Sequence, residues 1–132
     1  MLTGVVHWTA QERVVHGQPA AEAVCGEIER IGAKRVLLLT TRSLTNSRLV
    51  RDVTSALGDR CVGRFDQIPA HSPREAVIAG AARAREIEAD HLLSVGGGSV
   101  ADATKTMLLA LWRDVRDVDA LSALSPKRGS GP

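Results

Sequence analysis

The segment of the sequence best suited to chemistry is a run of three glycines, Gly96–Gly98, which follows an apolar stretch and precedes a helical pattern. Glycine leaves the backbone bare, so a ligand can approach such a segment closely. The start of the following helix would present unpaired N–H groups and about half a unit of positive charge. Together these features predict a cradle for an anion such as a phosphate. The alternative is a tight strand-to-helix turn that binds nothing.

Three polar side chains follow the glycines, at Ser99, Asp102 and Lys105. Ser99 and Asp102 have the spacing of a helix N-cap and its N3 partner, which predicts local capping. Asp102 could also accept a hydrogen bond from a ribose or a carboxamide. Lys105 could neutralise a phosphate or lie on a solvated helix face. Gly96, Gly98 and Ala101 fit a loose G-x-G-x-x-A pattern, but no strand with a final acidic residue follows about 20 residues later, as a standard Rossmann unit requires.

Strands that alternate with helices between residues 13 and 112 would position this segment. The strand candidates are residues 13–16, 35–40, 61–65 and 91–95. The run Val36–Leu39 is apolar on both faces, as expected of a central strand between two helix layers. The pattern predicts an α/β fold with a mostly parallel sheet and helices on both faces. The glycine run then lies at the carboxyl end of the last strand, where ligands collect in parallel sheets.

Helical spacing and end signals predict four main helices. The first has its apolar positions at Ala21, Val24, Cys25, Ile28 and Ile31 and ends at Gly32. The second helix is followed by Gly58. Its predicted inward side contains Leu49, Val53, Ala56 and Leu57. The third begins at the capping box Ser72–Glu75, and its inward face contains Val77, Gly80, Ala81, Ala84 and Ile87. The fourth carries Val100, Ala103, Met107 and Ala110 along one side, and a shorter helix is predicted within residues 113–125.

The composition fits one globular domain, since 44% of the 132 residues are hydrophobic and 24% are charged, which excludes a disordered chain. A net charge of +2 and 2% aromatic residues provide neither the field nor the stacking side chains of a nucleic-acid binder. The longest apolar stretch, Met107–Trp112, is far shorter than the roughly 20 residues that cross a bilayer. No secretory signal is visible, so a cytoplasmic location is expected. Cys25 and Cys61 lie far apart in the sequence, so both are expected to be structural thiols.

The four histidines do not have the spacing of a metal site. His7, His16, His71 and His91 are scattered, with no pair at i, i+4. No serine or cysteine nucleophile pattern is present, so no catalytic residue and no metal ligand is predicted in this chain. His71, just before a predicted helix, is a candidate for a substrate or cofactor contact.

The segment Gly96–Lys105 resembles the GGGSxxDxxK signature of the iron-containing alcohol dehydrogenase family. The similarity covers roughly residues 13–121 and includes Phe65-Asp66 and Glu88-Ala89-Asp90. The short stretch Ala70-His71-Ser72-Pro73 looks most like the maleylacetate reductase branch of that family. The resemblance implies a Rossmann-like N-terminal domain that binds NAD or NADP in residues 1–121, with residues 122–132 as a tail or linker.

By this resemblance, specific residues are expected to bind the cofactor. The pyrophosphate would contact Gly97, Gly98, Ser99 and Val100, with Asp102 in support, and Gly96 would belong to the same cofactor-binding loop. Thr41 occupies the position where many family members have an aspartate that bonds the adenosine ribose, and Arg42 follows it. Because an arginine there can accommodate a 2′-phosphate, NADP becomes a specific hypothesis. The family's first strand is followed by two glycines separated by one residue, whereas this chain has Gly17-Gln18-Pro19.

The function implied by the resemblance is that of an NAD(P)-dependent oxidoreductase, of which this chain is the cofactor-binding portion. The small-molecule substrate would exchange a hydride with the nicotinamide, and a homodimer is expected. In the family an aspartate and three histidines of a second, helical domain hold a divalent metal, Fe or Zn. These residues have no counterpart in this sequence, so the chain is expected to bind cofactor without turnover. The alternatives are a protein like the glycerol-phosphate dehydrogenases or sugar-phosphate cyclases, and a non-catalytic, truncated nucleotide-binding remnant.

Overall fold

The protein is an α/β structure in which helices and parallel strands alternate. A computed structural model describes residues 17–68 and 74–123, without the side chains of residues 122 and 123. Its elements in chain order are α1 (Ala20–Ile31), β1 (Val36–Leu39), α2 (Arg48–Leu57), a short 3-10 turn (Gly58–Arg60), β2 (Cys61–Phe65), α3 (Arg74–Glu86), β3 (His91–Ser94), α4 (Gly98–Trp112) and α5 (Val118–Ala123). The predicted fold class is confirmed. The strand candidate at residues 13–16, His71 and the start of the capping box at Ser72 lie outside the described residues.

The three described strands form a parallel sheet in the order β2-β1-β3. Val36 is paired with Cys61 on one side and with His91 on the other. All four residues of β1 are fully buried, as two-sided burial requires. The prediction that Val36–Leu39 is the central strand is therefore confirmed.

Alternate residues of β1 belong to two separate hydrophobic cores. Leu37 and Leu39 pack with the inward faces of α3 and α4, whereas Val36 and Leu38 pack with α1 and α2. Successive side chains of a strand point to opposite faces, so one four-residue strand contributes to both cores. Helices thus cover both faces of the sheet, as predicted.

The ends and buried faces of the first two helices mostly follow the sequence signals. α1 ends at Gly32, whose φ of 74° places it in the left-handed conformation expected of a C-terminal glycine. α2 begins after Ser47, whose Oγ accepts a hydrogen bond from the backbone N–H of Val50 at 3.2 Å. The expected inward position of Leu49 is wrong, because Leu49 is 42% exposed and Val50 is fully buried. Leu49 lies four residues before Val53 and Val50 lies three residues before it, so helical spacing alone allows either residue to share the buried side of Val53.

The predicted inward faces of α3 and α4 are confirmed, and the two helices approach closely at Gly80. A Cβ atom added to Gly80 would lie 2.6 Å from Sδ of Met107 and would also meet its terminal methyl group. Glycine at this position therefore makes room for a fully buried methionine side chain.

Asp90 ties β3 to β1 at the amino-terminal edge of the sheet. Its carboxylate accepts hydrogen bonds from the backbone N–H groups of Lys34 at 2.9 Å and Arg35 at 3.0 Å. Its own N–H donates to the carbonyl oxygen of Arg35 at 2.7 Å. These contacts fix the start of the strand that leads into the glycine run. No helix within the described ranges is long and apolar enough to span a membrane.

Candidate functional site

A crevice is expected at the carboxyl ends of the neighbouring strands β1 and β3. The chain passes from β1 into α2 on one face of the sheet and from β3 into α4 on the other face. This reversal is the topological switch point at which open α/β sheets bind ligands. The loop of residues 40–47 and the loop of residues 95–97 border this crevice.

The two loops are joined by hydrogen bonds and an apolar contact. The fully buried Thr40 donates from Oγ1 to the carbonyl oxygen of Val95 at 2.7 Å. The N–H of Val95 in turn donates to the carbonyl oxygen of Leu39 at 2.8 Å. A Cβ atom added to Gly96 would lie 3.6 Å from Cδ1 of Leu44. The role of Thr40 is not predicted from the sequence; the available signal is a hydroxyl residue directly after an apolar strand.

The first glycine of the run is required by the fold itself. Gly96 has a φ of 149°, which side chains rarely allow. A Cβ atom at this position would also lie 2.8 Å from Cγ2 of Val100. The bend between β3 and α4 therefore explains Gly96 without a ligand.

The next two glycines are not explained in this way. Gly97 has a φ of −91°, which any residue adopts, and Gly98 is the first residue of α4. A Cβ atom at either position would meet no other described atom within 4 Å. Neither backbone conformation nor packing within the described residues demands glycine here. Both residues are exposed, so the open space above them is available for close approach by a ligand.

The start of α4 differs from the predicted capping arrangement. Gly97 is the N-cap residue, so the N-cap position itself has no side chain, and Ser99 is already the second residue of the helix. The expected N-cap role of Ser99 with Asp102 as its partner is therefore wrong, because the helix begins earlier than predicted. Asp102 and Lys105 are exposed on the first two turns. The positive end of a 15-residue helix thus begins at the glycine run.

The second loop contains the other predicted cofactor residues. Thr41 is half-buried, and its Oγ1 is hydrogen bonded to Oγ of Ser43 at 2.9 Å. Arg42 is exposed, and its Nη2 donates to Oε1 of Gln67 at 2.7 Å. Thr41 lies two residues after the end of β1, next to the buried Thr40, whereas the guanidinium of Arg42 contacts the segment after β2. The pairing of Arg42 with Gln67 was not predicted, since nothing in the local pattern links the two positions.

Arg64 holds the far end of the same loop. Its Nη1 donates to the carbonyl oxygen of Thr45 at 3.0 Å and to Oγ1 of Thr45 at 3.3 Å. The loop after β1 is thus fastened to β3 through Thr40 and to β2 through Thr45.

Two other ionisable side chains, those of His91 and Cys61, lie at the amino-terminal edge of the sheet, away from the crevice. His91 begins β3, and its pKa is lowered by burial, an effect partly opposed by the neighbouring carboxylate of Asp90. Cys61 begins β2, where burial raises its pKa. Cys25 and Cys61 are both free thiols. Among residues 17–68 and 74–123, no three His, Cys, Asp or Glu side chains come together as a metal site, so the described residues do not fit a divalent metal.

Comparison with known proteins identifies the family. The model of the iron-containing alcohol dehydrogenase family matches residues 11–129. The chain belongs to this family. Among curated relatives, maleylacetate reductase 1 from Cupriavidus pinatubonensis is 38% identical over 100 residues, which are 75% of this chain and 27% of the relative. Maleylacetate reductase from Sphingobium indicum is 35% identical over 99 residues, which are likewise 75% of this chain and 27% of the relative. The resemblance to the maleylacetate reductase branch is confirmed.

Solved structures of the family have the same fold over the matched region. Maleylacetate reductase from Agrobacterium tumefaciens has a TM-score of 0.68 and 29% identity, and the match covers 86% of this chain and 31% of that one. Maleylacetate reductase from Rhizobium sp. has a TM-score of 0.67 and 30% identity, with 76% of this chain and 28% of that one covered. The chain therefore spans about a quarter to a third of the proteins it matches, and its fold is that of one part of this oxidoreductase family.

Proposed function

We propose that this chain is the cofactor-binding portion of an NAD(P)-dependent oxidoreductase and that the crevice between β1 and β3 holds the dinucleotide. The observation that carries the proposal is the pair of glycines at 97 and 98, whose side-chain space is open and whose conformations do not require glycine. A diphosphate placed against this backbone would explain why both positions lack a side chain. Family membership supports the same ligand.

In this proposal each part of the site binds a different part of the cofactor. The backbone of Gly96–Val100 and the positive end of α4 bind the diphosphate, and Asp102 supports that contact. The hydroxyl of Thr41 lies at the end of β1, on the side of the adenosine ribose. The nicotinamide supplies the hydride that such enzymes transfer, and the residues of this chain determine where the ring is held.

The substrate and the metal belong to the proposal as well. The relatives' names point to reduction of a small carboxylate such as maleylacetate. Because the described residues do not form a metal site, a metal of this family would be bound by residues outside the described ranges. We also expect two copies of the enzyme to associate.

A pair of glycine substitutions tests the diphosphate site. Gly98→Ala should weaken binding of both NAD and NADP by at least about tenfold, or about 1.4 kcal/mol, because the new methyl group occupies the space of the ligand. Gly26→Ala is the matched control, since Gly26 is an exposed residue within α1 with no neighbour within 4 Å of an added Cβ. Both substitutions remove a glycine from a helix and should leave stability unchanged or raise it by up to about 1 kcal/mol.

Isothermal titration calorimetry of the 132-residue chain with each dinucleotide gives the dissociation constants. The proposal requires that Gly26→Ala binds like the unsubstituted chain and that Gly98→Ala does not. Equal affinities for the two variants would show that the glycine run does not contact the ligand. Absence of binding heat with both dinucleotides in the unsubstituted chain would favour a non-catalytic remnant that has lost its ligand.

A further inference from the structure

A hydrogen-bonded network of three polar side chains, Arg42, Gln67 and Asp66, connects the loops that follow β1 and β2. Nη2 of Arg42 donates to Oε1 of Gln67 at 2.7 Å, and Nε2 of Gln67 donates to Oδ1 of Asp66 at 3.0 Å. Asp66 and Gln67 follow β2, on the opposite side of the central strand from the glycine run, and the guanidinium of Arg42 extends to them from the loop after β1. This polar network is therefore separate from the proposed diphosphate site but lies at the same edge of the sheet.

The position of this polar network corresponds to the adenosine ribose of a dinucleotide. In α/β dinucleotide sites, the adenosine ribose binds at the end of the strand next to the one that carries the glycine run, where a carboxylate accepts from the 2′-hydroxyl. Here that strand is β1, and Thr41 is the first residue after its end that is not fully buried; its hydroxyl is hydrogen bonded to that of Ser43. Two neutral hydroxyl groups do not repel a phosphate on the ribose, as a carboxylate would.

The adjacent guanidinium is held in a defined orientation. Because Asp66 takes a hydrogen bond from the amide nitrogen of Gln67, the amide oxygen of Gln67 is turned toward Arg42. A guanidinium has five N–H donors, and the bond to Gln67 uses one of them. The side chain of Arg42 can thus keep this contact and still donate to a phosphate. A long side chain that is already fixed loses less conformational freedom when it binds.

We propose that Gln67 is a positioning residue that holds Arg42 for the 2′-phosphate of NADP, so that this chain prefers NADP to NAD. The inference rests on the proposed function, since it assumes that a dinucleotide occupies the neighbouring crevice. Arg42 contacts the phosphate, and Gln67 acts through Arg42. Asp66 fixes the direction of the Gln67 amide.

The ratio of the dissociation constants for NADP and NAD tests this assignment, measured by calorimetry on the 132-residue chain. We expect the unsubstituted chain to bind NADP about tenfold or more tightly than NAD, as for a charge-assisted contact to phosphate. Arg42→Met should abolish this preference and leave NAD binding unchanged. Gln67→Met should lower the preference by roughly threefold or more, again without an effect on NAD.

Arg48→Met is the matched control, because Arg48 is a highly exposed arginine at the start of α2 whose removal changes the net charge by the same amount as Arg42→Met. It should leave the ratio unchanged. Adenosine 2′,5′-bisphosphate, which carries the 2′-phosphate without the nicotinamide, should lose affinity in the Arg42 and Gln67 variants only.

The outcomes separate this inference from the proposed function. Equal binding of the two cofactors, or a preference for NAD, overturns the role of Arg42 and Gln67 but leaves the crevice as a dinucleotide site. Parallel weakening of NAD and NADP by Gln67→Met means that Gln67 only supports the fold, which also overturns the inference. If neither dinucleotide binds to the unsubstituted chain, both proposals fail.

Discussion

Replacement of Thr40 by valine should destabilise the protein through the hydrogen bond that joins the two loops of the crevice. The fully buried hydroxyl of Thr40 donates to the carbonyl oxygen of Val95 at 2.7 Å, and Val95 is only 8% exposed. Valine has nearly the shape of threonine but cannot donate. A buried acceptor that loses its donor costs about 1–3 kcal/mol, and the extra buried methyl group offsets up to about 0.8 kcal/mol. The free energy of unfolding should therefore fall by about 1–2 kcal/mol.

Thr104→Val is the matched control for this substitution. The hydroxyl of Thr104 donates to the carbonyl oxygen of Val100 at 2.8 Å, within one helix. That carbonyl lies one helical turn before Thr104 and accepts a backbone hydrogen bond in any case. Loss of the Thr104 hydroxyl should therefore change stability by less than about 0.5 kcal/mol.

Urea denaturation followed by circular dichroism measures both variants. Thr40→Val should shift the midpoint to lower urea with an unchanged slope, and Thr104→Val should remain close to the unsubstituted protein. Dinucleotide binding should also weaken in Thr40→Val, because the loop that carries Thr41 is no longer tied to the glycine run. If the two valine variants unfold at the same urea concentration, the bond between the loops does not stabilise the fold and the reasoning is wrong.

Two further predictions concern the core and the opposite edge of the sheet. Gly80→Ala should leave the free energy of unfolding about 1–2 kcal/mol below that of Gly26→Ala in the same urea assay, because the added Cβ overlaps the buried end of the Met107 side chain, which must shift. His91 has a pKa lowered by burial below its ordinary value of 6.5, so the unfolded chain binds a proton more readily. The contribution of His91 is complete above pH 6.5 and is lost as the pH falls from there through the lower pKa of the folded state. His91→Gln should reduce this loss between pH 7.5 and 5.5 in urea titrations, and an unchanged pH dependence would contradict the assignment.

Those parts of the fold that depend on local patterns could be predicted from the sequence. A strand apolar on both faces is readable as central because neither side faces water, and Gly32 marks a helix end because its left-handed conformation suits glycine. The inward face of α2 was harder, since Leu49 and Val50 both have helical spacing to Val53. Only packing decides which of two adjacent apolar residues faces the sheet.

In the candidate site, too, features that depend on local sequence could be predicted, whereas contacts between distant segments could not. The glycine run is visible in the sequence, but the start of α4 was misplaced because Ser99 is a good capping residue and Gly97 also permits the N-cap position. The contacts from Thr40 to Val95 and from Arg42 to Gln67 join segments that are distant in the chain. No local spacing encodes such contacts, because they arise only when parallel strands bring their carboxyl ends together.

The strand order has a consequence for the newly made chain. Because β1 lies between β2 and β3 and precedes both, it is synthesised before either of its partners. A ribosome-bound chain that ends before His91 leaves one edge of the apolar segment Val36–Leu39 without a neighbour. Such an edge can pair with strands of other chains, so the nascent protein should depend on rapid completion of synthesis or on a chaperone to avoid aggregation.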